Sequence, residues 1–260
     1  MYKRPRVIPV LTIDEENLVK TTQFKKPRYL GDPINAVKIF NGKYVDELCV
    51  LDIKASKSNK GPQFELLKDI AVQAFMPLSY GGGIKTMDQI KTLFKIGYEK
   101  VIINSSFIDN PKLITEASIF AGRQSVVVSI DVKRNLFGKF VCYSKDGTNK
   151  LNDSPVELAK KAEKYGAGEI IINSIDHDGM MDGYDLDLIQ EISQAVSIPV
   201  VACGGAKQVS DFKQALDHGA HAVAAGSLFV FYGPKKAVLI TAPSEKSLID
   251  AGVYENNKGD

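Results

Sequence analysis

Three segments of this chain recur at one fixed offset. The run PLSYGGGI begins at Pro77 and PVVACGGAK at Pro199, 122 residues later. The run GYEKVIINSSF begins at Gly97 and GAHAVAAGSLF at Gly219, and Glu47 of DELCVLDI pairs with Glu169 of GEIIINSI at that same spacing. A looser match sets RVIPVLT against SVVVSID at an offset of 119, which brings Thr12 and Asp131 to related positions. An offset kept by several segments means that one half of a single domain copies the other, and argues against two independent domains.

The repeat is built from short apolar runs alternating with amphipathic stretches. Strands are expected at Arg6–Leu11, Glu47–Ile53, Met76–Ser79, Lys100–Asn104, Ser125–Asp131, Glu169–Ser174, Pro199–Ala202 and Ala222–Ala225. Most are too apolar to alternate, as expected of parallel strands buried on both faces. Helices are expected at Pro33–Val45, Phe64–Gln73, Met87–Ile96, Pro111–Phe120, Pro155–Tyr165, Leu186–Ala195 and Ser210–His218, several opening on Pro, Asp or Ser and closing at Gly. Eight strands with intervening helices point to a TIM (β/α)8 barrel over residues 1–254, with a doubly wound open sheet as the alternative. A frayed tail is expected over residues 255–260.

Composition narrows the function by exclusion. The 260 residues carry a net charge of +2, from 33 Lys and Arg against 31 Asp and Glu. Such a balance supplies no field that would draw nucleic acid or an anionic membrane. Cys49, Cys142 and Cys203 are odd in number and far apart, without the paired spacings of a zinc site or a disulfide framework, so a reducing cytoplasm is expected and neither metal nor cofactor is called for. No stretch approaches the roughly 18 apolar residues of a spanning helix.

Barrel chemistry sits at the C-terminal ends of the strands. Each half places a glycine-rich turn there. Gly81, Gly82 and Gly83 follow the third strand and Asn104 and Ser105 the fourth; Gly204, Gly205, Gly226 and Ser227 repeat the arrangement. Backbone N–H groups and a hydroxyl in such turns can hold phosphate, so a ligand phosphorylated at both ends is expected. The plain structural alternative is that these glycines only make tight turns.

Gly31–Pro33, DELCVLDI, GGGI, VVVSIDVKR, INSIDHDGMMDGYD and CGGA together resemble the HisF family, the cyclase subunit of imidazole glycerol phosphate synthase, from Arg6 to about Phe231. The resemblance implies a barrel that uses ammonia from a HisH-type glutaminase to cyclise and cleave a bisphosphorylated ribulosyl intermediate. It implies phosphate sites at Gly82, Gly83, Asn104, Ser105, Gly179, Gly204, Gly205, Gly226 and Ser227, and an active-site loop carrying Asp176 and Asp178. Proton traffic in the family resembles a two-carboxylate scheme. Asp131 stands at the second position, but where the family's first strand ends in Leu-Asp-Val this chain reads Leu11, Thr12, Ile13. A threonine hydroxyl exchanges no proton usefully at neutral pH, and losing a general acid or base costs on the order of 10²–10⁴ in rate. Asp14, two residues beyond, is not expected to substitute. The substrate loop has also changed: His177 stands where Arg is usual, and the first loop, Lys20–Asp32, keeps Lys20 but not the glycine that usually follows it.

At the opposite end, the family's ring of charges at the ammonia entrance maps to Arg6, Glu47, Lys100 and Glu169, all present. A salt-bridged plug would be the purely structural explanation. A complete ring beside a missing carboxylate suggests a HisF-like paralogue that conducts ammonia. Its expected partners are a HisH-like glutaminase and a sugar amidotransferase, in acetamidino modification of surface-polysaccharide sugars. The alternatives are the histidine-pathway lyase itself, with Asp131 carrying most of the proton transfer, and a ProFAR-isomerase-like barrel, which would have no use for the ring.

Overall fold

A computed structural model describes residues 4–43, 45–56, 58 and 60–255; most of the expected frayed tail, residues 256–260, lies outside them. The eight barrel strands, numbered here in chain order, are β1 (Arg6–Asp14), β2 (Leu48–Asp52), β3 (Leu78–Gly81), β4 (Lys100–Ile103), β5 (Val126–Arg134), β6 (Glu169–Ser174), β7 (Val200–Cys203) and β8 (Ala222–Ala225). Each pairs in parallel with the next, β8 pairs with β1, and β5 pairs with β6, so the sheet closes on itself. Closure leaves no barrel edge unpaired. The fold is a TIM (β/α)8 barrel, and the open-sheet alternative is excluded.

Two apolar layers hold it. Inside the bore, Ile8, Val10, Cys49, Ile102, Val127 and Val201 pack together with Ala222 and Ala224. Outside it, alternate strand residues such as Val50, Val101, Val128 and Ile170 meet the buried faces of the surrounding helices, among them Leu67, Leu93, Leu158 and Ile192. Each fully buried side chain of this size stabilises the fold by about 1.5–3 kcal/mol.

The helices follow their start and stop signals. Ser154 caps Pro155–Tyr165 in a reciprocal box with Glu157, and Thr86 caps Met87–Ile96 with Gln89 in the same way. The first helix stops at Asn41 rather than Val45, because the N–H groups of Gly42 and Lys43 turn back to the Ile39 and Phe40 carbonyls at 3.2 and 2.9 Å. Phe229 and Phe231 are buried, Phe229 between Phe40 and Phe212, while Tyr232 is exposed.

Most of the segment expected as the first loop, Lys20–Asp32, lies in a hairpin. Asn17–Thr22 runs back antiparallel to the end of β1 and pairs with Lys25–Gly31. A second hairpin extends β5 through Phe140–Ser144. Both rise from the C-terminal ends of the barrel strands and wall the mouth at that end.

Candidate active site and charged plug

A cavity of about 710 Å³ opens at the C-terminal mouth, walled by strand ends, both glycine turns and both hairpins. Asp131 sits in it almost fully buried. Asn104 Nδ2 donates to Asp131 Oδ2 at 2.9 Å, and Asn173 Nδ2 to Oδ1 at 3.4 Å. Burial pushes the carboxyl up to about 7; the two amide donors pull it down, less strongly, and the charges of Asp146 and Asp178 add to the rise. A carboxyl poised there can give or take a proton at neutral pH.

The sheet register confirms how the halves correspond. Thr12 lies beside Leu51 and Asp131 beside Asn173, and Leu51 and Asn173 are themselves related by the repeat. Thr12 also lines the cavity, but its hydroxyl donates to the Val19 carbonyl of the first hairpin and is occupied there. The Asp14 carboxylate pairs with Lys54 at 2.6 Å.

Lys20 and Asp178 meet in a buried ion pair of 2.7 Å within the cavity wall, and Thr21 Oγ1 donates to the same carboxylate at 3.3 Å. Asp176 and His177 do not join them. The Asp176 carboxylate accepts the Arg134 N–H at 2.7 Å, and His177 Nδ1 lies 2.9 Å from Asp182. The turn at Ser174–Asp178 explains the difference: Asp178 N–H returns to the Ser174 carbonyl, so neighbouring side chains leave the loop in different directions.

The glycine turns of both halves line the cavity, with Gly82, Gly83, Asn104 and Ser105 in one half and Gly204, Gly205, Gly226 and Ser227 in the other; Gly179 lines it from the loop after β6. Tight packing also requires two of these glycines. A Cβ on Gly82 would stand 2.7 Å from the Asp52 carbonyl oxygen, and one on Gly205 only 1.9 Å from that of Gly183, both at positive φ. Ser105 Oγ accepts the Lys145 N–H at 3.1 Å, whereas Ser227 Oγ is buried without a hydrogen-bond partner among the described residues.

The opposite mouth is closed by charge. Arg6 bonds Glu47 and, at 2.5 Å, Glu169; Lys100 bonds Glu47 at 2.9 Å and Glu169 at 3.3 Å. Two cations and two anions thus alternate in one ring. Burial alone would raise the Glu47 pKa, but Lys100 and Arg6 outweigh it and hold the carboxylate below its ordinary value. Above the ring, Glu47 and Glu169 help line a small cavity of about 10 Å³, large enough for one water-sized molecule. It shares Val10, Leu51, Ile102 and Cys203 with the large cavity, so these four side chains separate the two spaces.

Sequence reasoning missed Asn173 and Thr21. Asn173 had a visible signal, an amide inside the apolar run of β6 at the position where the other half carries Leu51.

These features define a class: a half-repeated (β/α)8 barrel with a ligand cavity at one mouth, an ion-paired plug at the other and an apolar bore between. The chain belongs to the histidine biosynthesis protein family, whose pattern matches residues 6–234. It is 49% identical to the "Putative imidazole glycerol phosphate synthase subunit hisF3" of Vibrio vulnificus, over 93% of this chain and 94% of the relative. It is 46% identical to the corresponding "hisF2" of Pseudomonas aeruginosa, over 94% and 98%. With the "Imidazole glycerol phosphate synthase subunit HisF" of Petrotoga mobilis it shares 41% identity over 86% and 89%.

Proposed function

We propose that this chain is a HisF-like subunit that receives ammonia from a HisH-like glutaminase and passes it on for acetamidino modification of a surface-polysaccharide sugar. The observation that carries the reading is a contrast between the two mouths. The Arg6–Glu47–Lys100–Glu169 ring is complete, while Thr12 stands at the related position to Asp131 with its hydroxyl held by Val19. An apolar bore with a water-sized space behind the ring suits a small neutral molecule and excludes ions, for which desolvation would be costly. The glycine turns on both sides of the large cavity, with the unpartnered Ser227 hydroxyl on one side, suit a ligand bearing phosphate at each end.

A second reading, the imidazole glycerol phosphate synthase cyclase itself, is favoured by one specific observation. Asp131 remains buried, amide-bonded and poised near neutrality, as a working acid and base should be. Glutamine labelled with ¹⁵N in its amide, supplied to the chain with its glutaminase, the sugar-modifying enzyme and its sugar substrate, and the bisphosphorylated ribulosyl intermediate, separates the two. Label in the amidino nitrogen of the sugar is expected. Label appearing only in imidazole glycerol phosphate would establish the second reading.

A further inference from the structure

Beside the C-terminal mouth lie two touching segments that carry cations and no carboxylate. One is the outer strand of the first hairpin, Lys25–Gly31; the other is a short hairpin after β8, in which Phe231–Tyr232 pairs antiparallel with Ala237–Val238. Arg28 joins them, donating to the Lys236 carbonyl at 2.9 Å with its guanidinium 5.1 Å from the centre of the Phe231 ring. Lys25, Lys26, Arg28, Lys235 and Lys236 form no ion pair among the described residues. Together they exceed the chain's whole net charge of +2, so a near-neutral total conceals a local positive field.

The same segments expose apolar surface. Tyr29 is 65% and Tyr232 67% exposed, and Val238 and Leu239 are exposed in the short hairpin. On the far side of the mouth, where β5 stands opposite β1 in the ring of eight, the tip of the second hairpin presents Leu136 and Phe137 almost wholly to solvent. That tip is an ordered turn: Asn135 Oδ1 accepts the N–H groups of Phe137 and Lys139 at 2.9 and 3.0 Å. Single exposed apolar side chains are ordinary, but their gathering with unpaired cations on the rims of one opening marks an interaction surface.

The position and chemistry of this rim choose its occupant. Lys25 and Pro27 line the large cavity as well as belonging to the exposed strand, so a body that bridges the two hairpins covers the opening. Lys25–Gly31 pairs with Asn17–Thr22 alone, and Pro27 with its flanking cations blocks the addition of a further strand, so a second copy of the chain cannot extend the sheet there. A lipid surface could meet the cations but offers nothing that accepts ammonia.

We propose that this rim is the docking surface for the sugar-modifying enzyme, which presents an acidic face with apolar pockets and covers the C-terminal mouth. The proposal rests on the ammonia-conducting reading above. Ammonia released into water is protonated and diluted, and ammonium has no lone pair with which to attack carbon; an enzyme seated over the opening receives it neutral. The exposed tyrosines and Phe137 supply anchors, and the unpaired cations steer the approach and set the orientation.

The test measures binding of the sugar-modifying enzyme to the full chain in complex with its glutaminase, by biolayer interferometry at low and high salt. Binding is expected to weaken with salt, and to weaken at least about tenfold in Lys26→Glu/Lys235→Glu and in Leu136→Ser/Phe137→Ser, with glutaminase binding unchanged in both. When ¹⁵N is followed from glutamine to the sugar, excess unlabelled ammonium is expected to dilute the label more in these variants than in the unmodified chain. Binding undiminished in either variant, or binding seen only without the glutaminase, overturns the proposal. So does retention of the chain on phosphatidylglycerol vesicles with no binding of the enzyme, which would assign the patch to a membrane. The two readings fail separately: glutamine nitrogen reaching the sugar with no complex formed leaves the conduit standing and removes this surface, whereas a complex that both variants abolish, without nitrogen transfer, does the reverse.

Discussion

A carboxyl group held near a pKa of 7 inside a folded chain acts on stability as well as on chemistry. The folded value of Asp131 lies above the ordinary carboxylate value, so its favourable contribution is fully present below that ordinary value and is lost as pH rises through about 7. Asp131→Asn removes the buried ionisation. It is expected to raise stability at pH 8 by up to about 4 kcal/mol and to leave it little changed at pH 4, read as the difference in urea midpoints at the two pH values. A stabilisation independent of pH would mean that Asp131 is not buried as a charge. At this scale the sequence was informative where the repeat supplied a comparison: Thr12 and Asp131 could be matched because each half offers a reference for the other. Asp176 and Asp178 could not be separated in that way, since both sit in one turn of β6's loop and only its backbone path decides which carboxylate reaches the cavity.

Among the elements, the first hairpin determines how the mouth is closed. It is tied to the loop after β6 by the Lys20–Asp178 pair, by Gln23 N–H to the Asp178 carbonyl at 2.8 Å and by Gln23 Nε2 to the Asp176 carbonyl at 2.9 Å. Lys236 adds a link from its Nζ to the Gly179 carbonyl at 3.0 Å, while its own carbonyl accepts from Arg28 of the hairpin at 2.9 Å. Lys20→Met leaves the Asp178 charge buried without its cation, which costs about 3–5 kcal/mol when the loop cannot relax. The expected outcome is loss of that order in global stability or, if the hairpin detaches instead, faster hydrogen exchange at Gln23 with the barrel amides unaffected; unchanged exchange and stability together would show that the pair holds nothing. This hairpin was not legible because its turn residues, Gln23 and Phe24, both take positive φ without a glycine or asparagine to announce it. Its outer strand, Lys25–Gly31, is largely exposed and so carries no alternation of apolar and polar residues. The barrel strands were legible for the opposite reason, being apolar through their length and spaced by helices with clear caps.

Across the whole molecule, the half-barrel repeat accounts for both the symmetry and the asymmetry of function. Two glycine turns survive at related places, while the two strand ends that would carry paired carboxylates have diverged to Thr12 and Asp131. The charged ring lies at the far end of the bore, built from β1, β2, β4 and β6, and keeps all four of its charges. The two related halves could be read from the repeat; closure of the sheet, which the sequence left beside an open alternative, the ring's closed pairing and the small space behind it could not, because they depend on strands and side chains meeting across the bore. The central claim is that the ammonia entrance persists while the chain's own cyclisation has been given up. Its most direct test is ammonium-dependent turnover of the bisphosphorylated ribulosyl intermediate of histidine synthesis by the purified chain and its Thr12→Asp variant. The account predicts no turnover by the unmodified chain and a gain of at least about 10² in Thr12→Asp. Turnover by the unmodified chain that collapses in Asp131→Asn would contradict it.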